Sequence, residues 1–116
     1  MRMLVVSAHG INQELVQNMI DPTKCSFLNA AKSAQEAIQT LGEESCDVVW
    51  IDSYRLGCPP NELAKKIREM RPGILTVLWT TGEEADLQCF NLRIVKPTRQ
   101  ADMNEAVLNL MVMHGG

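Results

Sequence analysis

Asp52 is the residue whose type and position in this sequence best fit a chemical role. It ends the segment 47–52, which is apolar throughout its middle. Such a segment predicts a central strand of a parallel sheet, and functional side chains of these sheets collect at the carboxyl ends of the strands. The same carboxylate could instead cap a loop or form an ion pair with Lys96, which is the obvious cation for a partly buried acid.

His9 and the cysteines are the other residues with a capacity for catalysis or metal binding. The four cysteines share no CxxC spacing: Cys25, Cys46, Cys58 and Cys89. Neither a zinc site nor a disulfide framework is therefore indicated. Ser7 is two residues from His9, a spacing that assures no hydrogen bond between a nucleophile and a base, and His9 with Asp52 would supply too few ligands for zinc. We predict no catalytic residue, no resident metal or other cofactor, and no enzymatic activity.

Apolar segments of strand character alternate with amphipathic helical segments along the chain. Strands are predicted at 4–6, 25–28, 47–52, 74–79 and 93–95, and helices at 12–20, 31–41, 61–71 and 102–111. Ser33 and Glu36 have the spacing of a capping box, in which the Glu36 side chain would bond back to Ser33. Gly42 is predicted to end that helix.

This alternation predicts an α/β fold with a doubly wound parallel sheet and helices on both faces. Five strands favour the flavodoxin-like order 2-1-3-4-5. We expect one domain over residues 1–113, because a chain of 116 residues is too short for a second core, with 114–116 as a tail or linker.

The composition excludes several classes of partner. The formal net charge is −3, so the domain has no basic footprint for direct binding to nucleic acid. No apolar run approaches the roughly 20 residues of a membrane span, and the segment 1–6 is too short for a signal peptide. We therefore expect a cytoplasmic protein that does not bind a membrane.

Several of these features together resemble the receiver domain of bacterial two-component response regulators, the CheY-like family. They are the strand ending in Asp52, Gly57, the helix 61–71, Thr81 at the end of the fourth strand, and the dipeptide Lys96-Pro97. The match extends over nearly the whole chain. The resemblance implies that Asp52 is the phosphoacceptor position, that Lys96 and Thr81 contact phosphoryl oxygens, and that the Lys96-Pro97 peptide is cis.

Three positions depart from the family pattern. Where the family carries two acidic residues that hold magnesium, at the end of the first strand, this chain has Ser7 and Ala8. Magnesium binds through carboxylate oxygens, so Asp52 alone is a poor site for it. Arg93 stands where receivers usually carry a switch aromatic residue on the fifth strand.

The segment between the fourth and fifth strands departs in length. Eleven residues, 82–92, separate Thr81 from the fifth strand, which is too few for a complete fourth helix with its two loops. We therefore predict that this helix is short or missing. Glu83 and Glu84 lie in this segment and are the acids that could still reach the Asp52 pocket.

These departures favour an atypical receiver, or pseudo-receiver, that acts as a protein-interaction module in signal transduction without the normal phosphorylation cycle. Its partner would be a histidine kinase, an attached output domain or a second copy. The alternative is a working receiver phosphorylated on Asp52 by a histidine kinase with magnesium. A second alternative is a small flavodoxin-like nucleotide or flavin binder, although the loop 7–12 lacks a phosphate-binding glycine pattern.

Overall fold

The computed structural model describes residues 1–82 and 88–115, which form a parallel sheet flanked by helices. The elements follow one another as β1 (Arg2–Val6), α1 (Gly10–Met19), β2 (Ser26–Phe27), α2 (Ala34–Glu43), β3 (Val48–Asp52), α3 (Pro60–Met70), β4 (Leu75–Thr80), β5 (Leu92–Val95) and α4 (Gln100–Gly115). The five strands are parallel and lie in the order β2-β1-β3-β4-β5. This confirms the predicted flavodoxin-like fold.

Strands β3 and β4 form the buried centre of the sheet. Every residue of both strands is buried, as their continuous apolar composition predicts for strands covered on both faces. Their register pairs Asp52, the last residue of β3, with Trp79 near the end of β4. The acid is therefore delivered to the carboxyl edge of the sheet by a strand that cannot shift without exposing its apolar side chains.

Side chains alternate between the two faces of the sheet, and each face has its own hydrophobic core. The α1/α4 core contains strand residues Met3, Val5, Val48, Trp50, Val77 and Trp79 and helix residues Val16, Met103 and Leu110. The α2/α3 core contains Leu4, Val6, Val49 and Ile51 with helix residues Leu41, Leu63 and Ile67. Each fully buried side chain of this size stabilises the fold by about 1.5–3 kcal/mol relative to exposure.

Helix α2 begins at the predicted cap but ends later than predicted. The Ser33 hydroxyl accepts a hydrogen bond from Glu36 N at 3.2 Å. The Glu36 carboxylate accepts from the Ser33 hydroxyl at 3.5 Å, as predicted, and also from Lys32 N at 3.2 Å. The helix continues through Gly42 to Glu43, and Glu44 N closes it by bonding to Thr40 O.

Helix α4 is longer than the sequence pattern indicated. It runs to Gly115, so His114 and Gly115, which were predicted to belong to a tail or linker, are helical. His114 Nε2 lies 3.9 Å from Asp47 Oδ1, at the amino edge of the sheet. Among the helices that the structure describes, none is both long enough and apolar enough to cross a membrane.

No helix lies between β4 and β5 in the residues that the structure describes, and Glu83 to Leu87 lie outside them. The described end of this connection is tied to the body of the domain. Arg68 of α3 donates to Gln88 O at 3.3 Å and to Asn91 Oδ1 at 2.8 Å. Thr76 Oγ1 of β4 donates to Cys89 O at 2.6 Å.

Candidate functional site

Ser7, Asp52, Trp79 and Lys96 lie together at the carboxyl edge of the sheet, on the side of the α1/α4 core. Because side chains alternate along a strand, each of them continues the row of a core residue two positions earlier. Those core residues are Val5, Trp50, Val77 and Ile94. The period of the strands therefore places one acid, one hydroxyl, one indole and one ammonium group on the same side of the sheet.

The Asp52 carboxylate is fully buried and accepts four hydrogen bonds. Its Oδ1 accepts from Lys96 Nζ at 2.5 Å and from Tyr54 N at 3.1 Å. Its Oδ2 accepts from Ser7 Oγ and from Asn12 Nδ2, both at 2.8 Å. A buried carboxylate is costly unless it is paired and hydrogen-bonded, and here both oxygens have two donors each.

Ser7 is a fully buried hydroxyl between Asp52 and the start of α1. Its Oγ lies 2.8 Å from Asp52 Oδ2 and 3.2 Å from His9 O. A hydroxyl has one proton, which goes to the closer and charged acceptor, Asp52. The same Oγ accepts from His9 N at 3.2 Å, so Ser7 also holds the loop that leads into the helix.

Lys96 is held by an acid and by two aromatic rings. Its side chain is 14% exposed, and its Nζ lies 4.2 Å from the centroid of the Trp79 ring and 5.9 Å from that of Tyr54. A cation within about 6 Å of an aromatic face is attracted by the ring. The Lys96-Pro97 peptide is cis, as the resemblance implied.

The charge on Asp52 is stabilised by these contacts. Burial by itself raises the pKa of the Asp52 carboxyl, but the hydrogen bonds from Lys96, Tyr54 N, Ser7 and Asn12 act in the opposite direction and outweigh it. The pKa of Asp52 therefore lies below its ordinary value. The site favours an ionised carboxylate.

The threonine at the end of β4 is Thr80, one residue earlier than predicted. Thr80 is the last residue of the strand and is 1% exposed, whereas Thr81 follows the strand and is exposed. The Thr80 hydroxyl accepts from Gly82 N at 3.2 Å. Placing Thr81 at the end of the strand was therefore wrong, because the strand's alternation and burial end at Thr80.

The structure does not bring the remaining predicted positions to Asp52. Ala8 is exposed in the loop after β1, and Arg93 is an exposed residue of β5 beside Leu78 of β4. Arg93 lines a groove of about 370 Å³ between β5 and α4. The His9 ring packs 5.0 Å from the ring of Tyr54, centroid to centroid, at the rim of the Asp52 pocket.

The site is a poor fit for magnesium. Within 1–82 and 88–115, no three His, Cys, Asp or Glu side chains form a group that could hold a metal ion. Asp52 supplies the carboxylate of the pocket, and its Oδ2 already accepts hydrogen bonds from Ser7 and Asn12, whereas magnesium binds through carboxylate oxygens. Glu83 and Glu84, the acids predicted as able to reach the pocket, lie outside the described residues.

Solved structures of response regulators share this architecture. The response regulatory domain of protein mrkE from Klebsiella pneumoniae is 15% identical with a TM-score of 0.86, covering 99% of this chain and 98% of that one. A CheY-like receiver domain protein from Methanospirillum hungatei JF-1 is 18% identical with a TM-score of 0.85, covering 98% and 96%. The response regulator TrrA from Thermotoga maritima, solved with Mg²⁺-BeF, is 21% identical with a TM-score of 0.82, covering 94% and 97%.

This chain has the receiver fold. The similarity extends over nearly the whole length of each protein, and the predicted resemblance is confirmed at the level of the fold. No protein-family profile and no curated protein matches the sequence.

Three residues of the site were not singled out by the sequence: Asn12, Tyr54 and Trp79. Asn12 lies in the first turn of α1, and an asparagine at a helix start reads as a routine polar residue. Trp79 ends the predicted apolar strand 74–79, a pattern that indicates a core residue; this agrees with its burial but gives no sign of its contact with Lys96. In a receiver fold the loop after β1 and the end of β4 border the end of β3, so polar and aromatic residues at those two places are the available signal.

Proposed function

We propose that this chain is a pseudo-receiver, a receiver-like domain of two-component signal transduction that acts through protein contacts without the magnesium-dependent phosphorylation cycle. The observation that carries the proposal is the Asp52 carboxylate, whose two oxygens are engaged by four donors of the chain itself. A phosphoacceptor needs an oxygen free to attack phosphorus and enough positive charge to offset the charge of the transferred group. Within the described residues, Lys96 is the cation that contacts Asp52.

The replacement of acid by Ser7 supports the same proposal. A carboxylate at this position would accept a metal and repel Asp52, whereas the Ser7 hydroxyl donates to Asp52 Oδ2 at 2.8 Å. Ser7 and Asn12 therefore satisfy Asp52 Oδ2 by hydrogen bonding, so that this oxygen does not require a metal ion as a partner. We accordingly propose that the domain holds no resident cofactor.

A protein partner fits the exposed surface better than a nucleic acid or a membrane does. Large apolar side chains are exposed on α1 and α4: Ile11, Leu15, Leu108, Val112 and Met113. Apolar side chains left exposed in number on neighbouring elements are a feature of surfaces that bind proteins. The net charge of −3 is unfavourable for polyanions. The candidates are a histidine kinase, an attached output domain and a second copy of the chain.

The direct test uses a small phosphodonor such as acetyl phosphate, with and without magnesium, followed by intact-mass measurement. The wild-type protein is expected to gain no phosphoryl group under either condition. Asp52→Asn is the matched control for any mass increase. A magnesium-dependent increase in the wild type that disappears in Asp52→Asn would overturn the proposal and establish the alternative, a working phosphoacceptor.

A gain-of-function variant tests the physical reason. Ser7→Asp combined with Ala8→Asp supplies two acids directly after β1, the first of them at the position that bonds the Asp52 carboxylate. Without metal the added charges repel Asp52, and with magnesium they are offset, so magnesium is expected to raise the melting temperature of this variant. Ser7→Asn with Ala8→Asn is the uncharged control. An identical response to magnesium in both variants would show that missing acids are not what prevents metal binding.

A further inference from the structure

We propose that Lys96, Trp79 and Thr98 form a relay that couples the charge of Asp52 to the loop 96–99 at the start of α4. The relay goes beyond the proposed function, because it is a property of the resting ion pair and needs no phosphorylation. It also differs from a switch through an aromatic residue on β5, since Arg93 occupies that position and is exposed. Its three links are contacts of described residues.

The first link is the ion pair between Asp52 and Lys96. The carboxylate is fully buried and the Lys96 side chain is 14% exposed, so the ammonium group lies at the mouth of the pocket with limited access to water. Attraction to the carboxylate offsets the desolvation of the ammonium group. If Asp52 loses its charge, this attraction is lost, and movement of the Lys96 ammonium group outward into solvent lowers the free energy.

The second link is the contact between Lys96 and Trp79. Lys96 Nζ lies 4.2 Å from the centroid of the Trp79 ring, and Trp79 is 1% exposed within the α1/α4 core. The cation covers one face of the indole, while the core residue Trp50 packs edge-on at 6.4 Å between ring centroids. Outward movement of Lys96 therefore removes the polar neighbour that fixes this side of the ring.

The third link joins Trp79 to the loop before α4. Trp79 Nε1 donates to Thr98 Oγ1 at 2.9 Å, and Thr98 Oγ1 lies 3.1 Å from Val95 O. The next residue, Arg99, contacts Asp102 of α4 through both its backbone N–H and its Nε. The position of the indole thus affects the conformation of the loop 96–99, which leads into α4. Lys96 is the first residue of this loop.

Thr98→Val tests the relay, because it removes the Trp79 partner without touching Asp52. In the wild-type background, Thr98→Val is expected to lower the free energy of unfolding measurably, as determined by urea denaturation. In Asp52→Asn the Trp79 bond is already loosened, so the same substitution should cost at least about threefold less in the unfolding constant, beyond the roughly twofold scatter of independent sites. Thr23→Val, at an exposed loop residue bonded to Asp21, is the control and should cost the same in both backgrounds.

The Lys96→Met background separates the relay from simple proximity, since Asp52 and Trp79 are also neighbours in the sheet. With Lys96 replaced, Asp52→Asn should no longer alter the effect of Thr98→Val. The backbone amide signals of Thr98 and Arg99 give a second measurement that does not depend on unfolding. They should move in Asp52→Asn and stay in place in Asp21→Asn.

Three results would overturn the relay. The first is an equal cost of Thr98→Val in wild type and Asp52→Asn. The second is persistence of the coupling in Lys96→Met. The third is an unmoved pair of Thr98 and Arg99 amide signals in Asp52→Asn. If Asp52→Asn does not fold, Lys96→Met cuts the same link and should reduce the cost of Thr98→Val by itself. None of these measurements involves a phosphodonor, so they are independent of the test for phosphorylation.

Discussion

Lys96 Nζ lies 2.5 Å from Asp52 Oδ1, and this ion pair joins β5 to β3 across the intervening strand β4. The Lys96 ammonium group packs on the face of the Trp79 ring, and Ser7 and Asn12 donate to the second carboxylate oxygen of Asp52. The pair thus ties the short edge strand β5 to the centre of the sheet at the place where a receiver fold has its acidic pocket.

Removing either partner of the pair is expected to destabilise the protein more than removing both. Asp52→Asn leaves the Lys96 ammonium group without a counter-ion, and Lys96→Met leaves the buried carboxylate without one. Breaking a buried pair costs about 3–5 kcal/mol, and the partial exposure of Lys96 places our expectation near 3 kcal/mol. The double variant should cost less than either single variant in urea unfolding, and a double variant that costs as much as the two single variants together would show that the pair has no net coupling.

The free energy of unfolding is expected to decrease as the pH is lowered, and Asp52 accounts for part of this decrease. Its pKa is lowered in the native state, so the unfolded chain binds the proton first as the pH falls. The contribution is present in full above the unfolded pKa and is lost as the pH falls from about 5 through the native value. Asp52→Asn should therefore show a shallower loss of unfolding free energy in acid than wild type does.

Asp21→Asn provides the comparison for this pH effect. Hydrogen bonds from the backbone and side chain of Thr23 lower the pKa of Asp21, but this carboxylate is exposed to solvent. Screening by water makes such a contribution small. Replacing Asp21 should therefore change the acid limb of the stability profile less than replacing Asp52, and the reverse order would contradict our assignment.

The two tryptophans should respond differently to the same substitution. Within residues 1–82 and 88–115, buried Trp50 Nε1 has no hydrogen-bond partner, whereas Trp79 Nε1 donates to Thr98 Oγ1. Phenylalanine leaves a comparable gap at each site, but at Trp50 it also removes an unsatisfied donor, which costs about 1–3 kcal/mol. Trp50→Phe is expected to destabilise less than Trp79→Phe in urea unfolding, and equal losses would argue against this account.

The cap of α2 should be worth a measurable fraction of the stability. Ser33 Oγ accepts from Glu36 N, whereas the side chain of His9, the N-cap of α1, makes no such bond to the described part of that helix. Ser33→Ala is expected to cost about 1 kcal/mol, and Ser33→Asp, which retains an acceptor near the positive end of the helix, should cost little. A cost for Ser33→Asp as large as that for Ser33→Ala would show that the acceptor is not what matters here.

The parts of this protein that were predictable are those set by local pattern. The apolar run before Asp52 predicted a central strand, and alternation of strands with helices predicted the strand order. Helix and strand ends were less accurate, as at Gly42 and Thr80, because neighbouring turns and cross-strand pairing decide them.

The sequence by itself determined the fold, the place of Asp52 at the carboxyl end of β3, and the presence of Ser7 where an acid would be expected. Only the tertiary structure decided that Ser7, Asn12, Tyr54 N and Lys96 all donate to the same carboxylate, and that Lys96 rests on Trp79. The physical reason is distance along the chain. Periodicity reports which face a residue occupies, but contacts between separate strands depend on register and side-chain direction, which arise only when the sheet forms.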